Sequence, residues 1–288
     1  MQLRELLEQP QHLPTIPALV QNLIDSFGRE DVSLGEIGRL ISTDPGLSAK
    51  LLRLANSAYF RTTRSIGSVD DALQMLGAKM SRNLVIGSGL AGAFKVAPGL
   101  HIKQFWRYSL ATACIARWLC EPARLESDLG FMVGLLHGIG QFTMRGGMPE
   151  EMQAIDESVH PLAAERAFAE RERFGFDHAE VGAELARRWH FPEAIARGVG
   201  GLPRPLDARP ASSVAAVAHL AAWRARAETF GDPPEKMAAS YPEAVAASLF
   251  LSKGWIPALL AKGERIDKPM RAMPPVDELT AGLDEMLS

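Results

Sequence analysis

Cysteine is scarce in this chain: Cys114 and Cys120 are the only two among 288 residues. No C-x-x-C pair exists, which excludes a cysteine-built zinc site. On a shared helix their spacing puts the two about 9 Å apart, beyond disulfide reach. They are expected to be buried apolar side chains in a reducing compartment. Charge of one sign is also lacking. Lys and Arg number 31 against 34 Asp and Glu, so the formal charge is −3. That near-balance argues against a non-specific electrostatic grip on nucleic acid or an anionic membrane as the main activity. Long apolar runs are missing too. Stretches such as Val214 to Trp223 fall short of the roughly 18–20 residues that a membrane span needs. The start, Met1-Gln2-Leu3-Arg4-Glu5, carries an acid early and no signal-like apolar segment. These absences together predict a soluble cytoplasmic protein that does not engage a membrane.

What is present is helical periodicity. With 47% hydrophobic residues the chain can bury a sizeable core, and its length suits one large or two small domains. Ser33 with Glu36 has the form of a capping box ahead of Leu34, Ile37, Leu40 and Ile41. Asp44-Pro45 supplies an N-cap and a proline at the first helical position, before Leu47, Leu51 and Leu54. Ser68 and Asp71 open a helix that Gly77 stops, and Met80, Leu84 and Val85 begin the next. Gly87-Ser88-Gly89 falls inside that segment and predicts close helix packing. Pro98-Gly99 is the best internal boundary. Beyond it, a long helix carries Ile102, Phe105, Trp106, Ser109, Leu110 and Ala113. The span from Asp128 to about Met144 is apolar on most sides and predicts one central buried helix. Asp177 and Glu180 mark the helix of Val181, Leu185 and Trp189, and Pro192 begins another. Pro203, Pro205 and Pro210 lead to an Ala-rich helix around Val214 to Ala227. Val276, Leu279, Leu283 and Met286 give a final amphipathic helix. No period-2 strand, fixed repeat or low-complexity tract is found. The fold class is all-α.

Within this frame stand Leu13-Pro14-Thr15-Ile16-Pro17, Asp44-Pro45-Gly46-Leu47, Leu54-Ala55-Asn56-Ser57-Ala58-Tyr59-Phe60, Ile66-Gly67-Ser68-Val69 and Leu76-Gly77. Further on come Gly134-Leu135-Leu136-His137-Gly138-Ile139-Gly140 and Phe174-Gly175-Phe176-Asp177-His178-Ala179-Glu180-Val181-Gly182-Ala183, with Trp189 and Pro192. In order and spacing this series resembles the HDOD domain, the HD-related output domain of bacterial signalling proteins, over roughly residues 8–225. The resemblance implies a two-lobed helical bundle. With the Pro98-Gly99 break, the expected division is an N-terminal lobe at 1–97, an HD-like lobe at 98–225 and a helical extension at 226–288.

The resemblance also implies a place to look for chemistry. HD-superfamily phosphohydrolases use a first histidine, a His-Asp doublet and a distant aspartate to hold a divalent metal, which lowers the pKa of a bound water and neutralises phosphate. By motif, the first histidine position falls on Tyr108, the doublet on His137-Gly138 and the late aspartate near Ala222. Further histidines of the pattern are replaced around Gly200-Gly201. His137 survives, and His178 is expected nearby. A hard cation prefers oxygen ligands, so this set reads as a vestigial site with no catalytic residue, no metal and no cofactor. His137 is expected to bond within the core and His178 to open a capped helix. Rossmann, Walker and nucleophile-elbow motifs are missing.

Between residues 50 and 82, Lys50, Arg53, Arg61, Arg64, Lys79 and Arg82 face only Asp70 and Asp71 in composition. Arg53, Arg61, Arg64, Lys79 and Arg82 are therefore candidate contacts for an anion or a partner. Arginine stems covering an ordinary solvated face are the simpler reading. Asn56 suits a left-handed helix cap and a local hydrogen-bond hub. The function expected is a non-catalytic signal-transduction output or adaptor module that binds a signalling protein or a small-molecule ligand. The alternatives are a metal-dependent phosphohydrolase with a divergent site, or a nucleotide- or nucleic-acid-binding regulator. With no receiver or kinase segment in the sequence, input is expected from a separate molecule.

Overall fold

A computed structural model describes residues 2–8, 13, 15–28, 33–57, 60, 65–94, 96–208, 211–260 and 271–283. Among them every regular element is a helix. The first six are α1 (Leu3–Leu7), α2 (Ala18–Asp25), α3 (Leu34–Ser42), α4 (Pro45–Ala55), α5 (Val69–Leu76) and α6 (Ala78–Ala93). Their starts follow local chemistry. Ser33 Oγ accepts from Glu36 N at 3.1 Å, Asp44 Oδ1 from Gly46 N at 2.8 Å, and Ser68 Oγ from Asp71 N at 3.0 Å. Each side chain satisfies a donor that the first helical turn leaves orphaned. Asn56 is the expected hub: its side chain bonds Leu52 O and both backbone groups of Ile66. It does so at φ −86°, however, so the left-handed cap is not adopted. Gly89 sets the close approach of α6 to α2, since a Cβ there would lie 2.2 Å from Val20 Cγ2.

The second half comprises α7 (Ile102–Cys120), α8 (Ser127–Leu136), α9 (Gly140–Gly147), α10 (Pro149–Asp156), α11 (Arg166–Phe174), α12 (His178–Arg188), α13 (Glu193–Gly201) and α14 (Ser213–Phe230). The chain finishes with the short α15 (Pro234–Ala239), α16 (Glu243–Ser248) and α17 (Val276–Thr280). α7 and α8 pack along each other and α14 covers both. Cys114 and Cys120 sit buried and free on α7, where desolvation pushes both thiols up to about 12. α14 runs unbroken through residue 225. No helix among the described residues is long and apolar enough to cross a membrane.

Two expectations need correction. The span from Asp128 to Met144 is not one helix: it breaks at His137-Gly138-Ile139 into α8 and α9. The turn seats Gly140 directly on α12, where a Cβ would lie 2.0 Å from the His178 carbonyl oxygen. The last helix stops at Thr280, ahead of Gly282 at φ 77°; Met286 lies outside the described residues.

The hydrophobic core runs through both halves without interruption. Phe94, at the end of α6, meets Phe142 of α9 at 4.7 Å and Trp189, after α12, at 6.0 Å between ring centroids. Gln21 Nε2 on α2 donates to Trp189 O at 2.9 Å. The N-terminal helices thus brace the α9–α12 pair that carries the site.

Candidate functional site

Four helices converge on one cavity of about 260 Å3. α7 contributes Phe105 and Tyr108, the α8–α9 turn His137 and Gly138, and α9 Gln141. α12 gives its first residue, His178, and α14 gives His219, Ala222, Trp223 and Arg226. All five residues expected at the vestigial site therefore meet in one place: Tyr108, His137, Gly138, His178 and Ala222. The Tyr108 and His137 rings stand edge-to-face at 5.0 Å, and the Tyr108 hydroxyl donates to Ala222 O at 3.4 Å.

His137 Nδ1 lies 2.6 Å from Gly134 O. A carbonyl only accepts, so Nδ1 carries the proton and Nε2 the lone pair. Desolvation, with His178 and Arg226 adding repulsion against the Gly134 bond, pulls its pKa down to about 3. His137 is neutral.

His178 is placed by sequence-local means. Asp177 caps α12 by accepting from Ala179 N and Glu180 N, and Glu180 returns the bond to Asp177 N at 3.2 Å. This delivers His178 to a fully buried acid. Its Nδ1 lies 2.6 Å from Glu170 Oε2 and its backbone N donates to the same oxygen at 2.8 Å. Burial would lower the His178 pKa, but the attraction and hydrogen bond of Glu170 outweigh it and the net shift is upward. Glu170 pays desolvation in the opposite sense, yet His178 and Arg166 hold its pKa down at about 2. The other Glu170 oxygen accepts from Arg166 Nε at 2.7 Å. Arg166 continues to Asp156 at 2.6 Å, and Asp156 to Arg145 at 2.6 Å. Arg145 Nη1 reaches Pro98 O at 2.9 Å. A buried chain of alternating charge thus runs from the cavity to the Pro98-Gly99 turn.

These shifts set a pH dependence. Glu170 is depressed, so its contribution is present above about 4.5 and is lost as pH falls toward 2. His178 is raised, so its contribution is full below 6.5 and is lost as pH rises beyond it. His137 is depressed, so its burial as the neutral form favours folding above 6.5 and disfavours it increasingly down to about 3. Stability is expected to be lower at pH 4.5 than at 6.5. Urea titrations at the two values check this, and the gap should narrow in His137→Leu; an unchanged gap would refute the assignment.

The cavity lining contains no Asp or Glu. Glu170, the acid bonded to His178, has both oxygens engaged. Among the described residues no group of three or more His, Cys, Asp or Glu is placed to hold a metal ion. The donor set therefore does not fit the divalent metal that the HD resemblance implies, since hard cations need carboxylate oxygens.

The described residues of the basic stretch have different surroundings. Arg82 is buried, with its guanidinium 3.7 Å over the Phe27 ring and bonded to Ser26 O. Lys79 pairs with Glu126 at 3.4 Å, and Arg53 is exposed on α4 with its own interaction. Arg61 and Arg64 lie outside the described residues. Sequence reasoning missed Glu170, Gln141, His219 and Arg226. The Arg166/Glu170 spacing reads as an ordinary i,i+4 surface pair, and Arg226 is hidden in an Ala-rich helix.

Comparison with known proteins bears on the family and the fold. The HDOD domain profile matches residues 13–200, and the chain belongs to the HDOD domain family. It is similar to a solved structure from Shewanella amazonensis SB2B described as a candidate phosphohydrolase. Identity is 26%, the TM-score 0.73, and the match covers 98% of this chain and 96% of that one. An HDOD domain protein of unknown function from Geobacter sulfurreducens shares the fold at 23% identity and TM-score 0.65, over 86% of this chain and 92% of that one. An uncharacterized protein of Treponema pallidum (strain Nichols) is 27% identical over 220 residues, which is 72% of this chain. The match spans only 42% of that relative's length.

Proposed function

We propose that this chain is a non-catalytic output or adaptor module of bacterial signal transduction, acting in the cytoplasm by binding a signalling protein or a small ligand. The cavity's lining carries the reading. At the positions where the HD resemblance calls for a histidine, a doublet acid and a late aspartate stand Tyr108, Gly138 and Ala222. Without those oxygens nothing offsets a divalent charge, and no activated water follows. Residues 1–97 act as the N-terminal lobe, 98–225 as the HD-like lobe and 226–288 as the extension. The similarity to a candidate phosphohydrolase favours, as the second reading, a metal-dependent hydrolase with a divergent site. For a nucleic-acid regulator the support is slight, because Arg82 is buried and Lys79 is paired.

Elemental analysis of purified protein, together with a manganese-supplemented assay on bis(p-nitrophenyl) phosphate, tests the proposal. The expected result is substoichiometric metal and no turnover above the buffer rate. Stoichiometric metal with turnover abolished by His137→Ala would overturn it.

A further inference from the structure

The cavity at the α7–α8–α12–α14 junction is equipped for something other than a cation. Arg226 is half-buried in its wall. Its Nε donates to Leu162 O at 2.7 Å and its Nη2 to the Tyr108 hydroxyl at 3.3 Å. No described carboxylate pairs with it, and its Nη1 has no described partner. A guanidinium partly withdrawn from water without a counter-charge is an unfavourable arrangement, one that a bound anion relieves. The imidazole of His178 spends Nδ1 on Glu170 and keeps Nε2 for the cavity it lines.

The same lining also holds unused acceptors. Gln141 is 3% exposed and donates Nε2 to Pro161 O at 2.8 Å, which leaves its Oε1 buried with no partner. His137 gives its Nδ1 proton to Gly134 O, and His219 gives its own to Leu202 O at 2.8 Å. Both therefore carry a lone pair on Nε2. A bare inorganic anion would satisfy the arginine and leave the buried Gln141 Oε1 without a donor. A neutral polyol would do the reverse. Buried acceptors left unmade are costly enough that a ligand supplying donors is favoured over one that does not.

Size narrows the class further. At about 260 Å3 the cavity lies below the usual 300–1,000 Å3 of ligand pockets, too small for a dinucleotide. We propose that this cavity binds a small hydroxylated organic anion, with its charged head on Arg226 and its hydroxyls toward His137, His219 and Gln141. The proposal rests on the non-catalytic reading above, in that the anion is held and released unchanged. His219 and Arg226 lie beyond residues 13–200, the part that matches the family. The site is thus built partly from this chain's own C-terminal half.

Isothermal titration of the full chain with glycerol 3-phosphate, glycerate, inorganic phosphate and glycerol tests it. One of the first two is expected to bind at least tenfold more tightly than either of the last two, and which one shows whether the head is phosphate or carboxylate. Arg226→Gln should weaken that binding at least tenfold and Gln141→Leu several-fold. In unmutated protein the ring-carbon NMR signals of His137, His178 and His219 should shift on addition of the tighter probe, a readout that needs no variant to fold. The proposal is overturned if no probe binds, if those histidine signals stay still, or if folded Arg226→Gln binds as before. Phosphorus NMR of the recovered ligand separates the two readings. Glycerol 3-phosphate returned intact supports both, whereas release of inorganic phosphate leaves the site standing and removes the non-catalytic function.

Discussion

Replacing Glu170 with alanine is expected to destabilise the fold by about 3–5 kcal/mol, the usual cost of breaking a buried ion pair by deleting one partner. The size follows from what is stranded. Glu170 is fully buried, and its two oxygens serve Arg166 Nε, the His178 ring and the His178 backbone N. Removing them leaves Arg166, itself 1% exposed, with Asp156 as its remaining acid. Glu170→Gln keeps the shape and one acceptor, so its cost should be smaller, but it should remove the larger part of the upward pull on His178, leaving that of Asp177. Urea denaturation gives the stability, and a histidine NMR titration gives the His178 pKa. A loss below about 1 kcal/mol for the alanine variant would mean that solvent reaches this chain of charges, contrary to its burial.

Gly140→Ala is the other large effect. Its Cβ would lie 2.0 Å from the His178 carbonyl oxygen and 2.7 Å from Gly182 N, both backbone atoms that cannot swing away. Overpacked cores lose about 1–3 kcal/mol when side chains can adjust. Here α9 and α12 must separate instead, so a loss of about 3 kcal/mol or more is expected. His178 would move with its helix, so the cavity should change shape as stability falls. Gly92→Ala, where nothing lies within 4 Å, is the control and should be neutral or stabilising by up to about 1 kcal/mol. Equal melting temperatures for the two variants would disprove the close approach.

The contrast between these residues explains what the sequence made visible. Helix starts rest on contacts two or three residues long, so Ser33, Asp44, Ser68 and Asp177 announce themselves. The all-α class and the convergence of Tyr108, His137, Gly138, His178 and Ala222 were legible for related reasons: periodicity for the first, motif order for the second. The break at His137-Gly138-Ile139 was not legible. Its surroundings are apolar on most sides, and the contact it serves is a tertiary approach between α9 and α12. Glu170 was hidden because burial inverts the meaning of a charged residue at i,i+4 spacing from an arginine. Arg82 was misleading in the same way: a basic residue in a basic stretch, yet laid over Phe27 in the interior.

His219, Ala222, Trp223 and Arg226 occupy one face of α14 at spacings of three, four and seven. That face supplies much of the cavity's polarity, while the floor comes from the part of the chain matching the family. One wall of the cavity is thus carried by a stretch outside the family match, while His137, Gln141 and His178 belong to the matched part. An evolving lineage, or an engineer, can therefore reshape that wall by exchanging four side chains on a single helix, leaving the caps, the Glu170 chain and the Gly140 contact as they are.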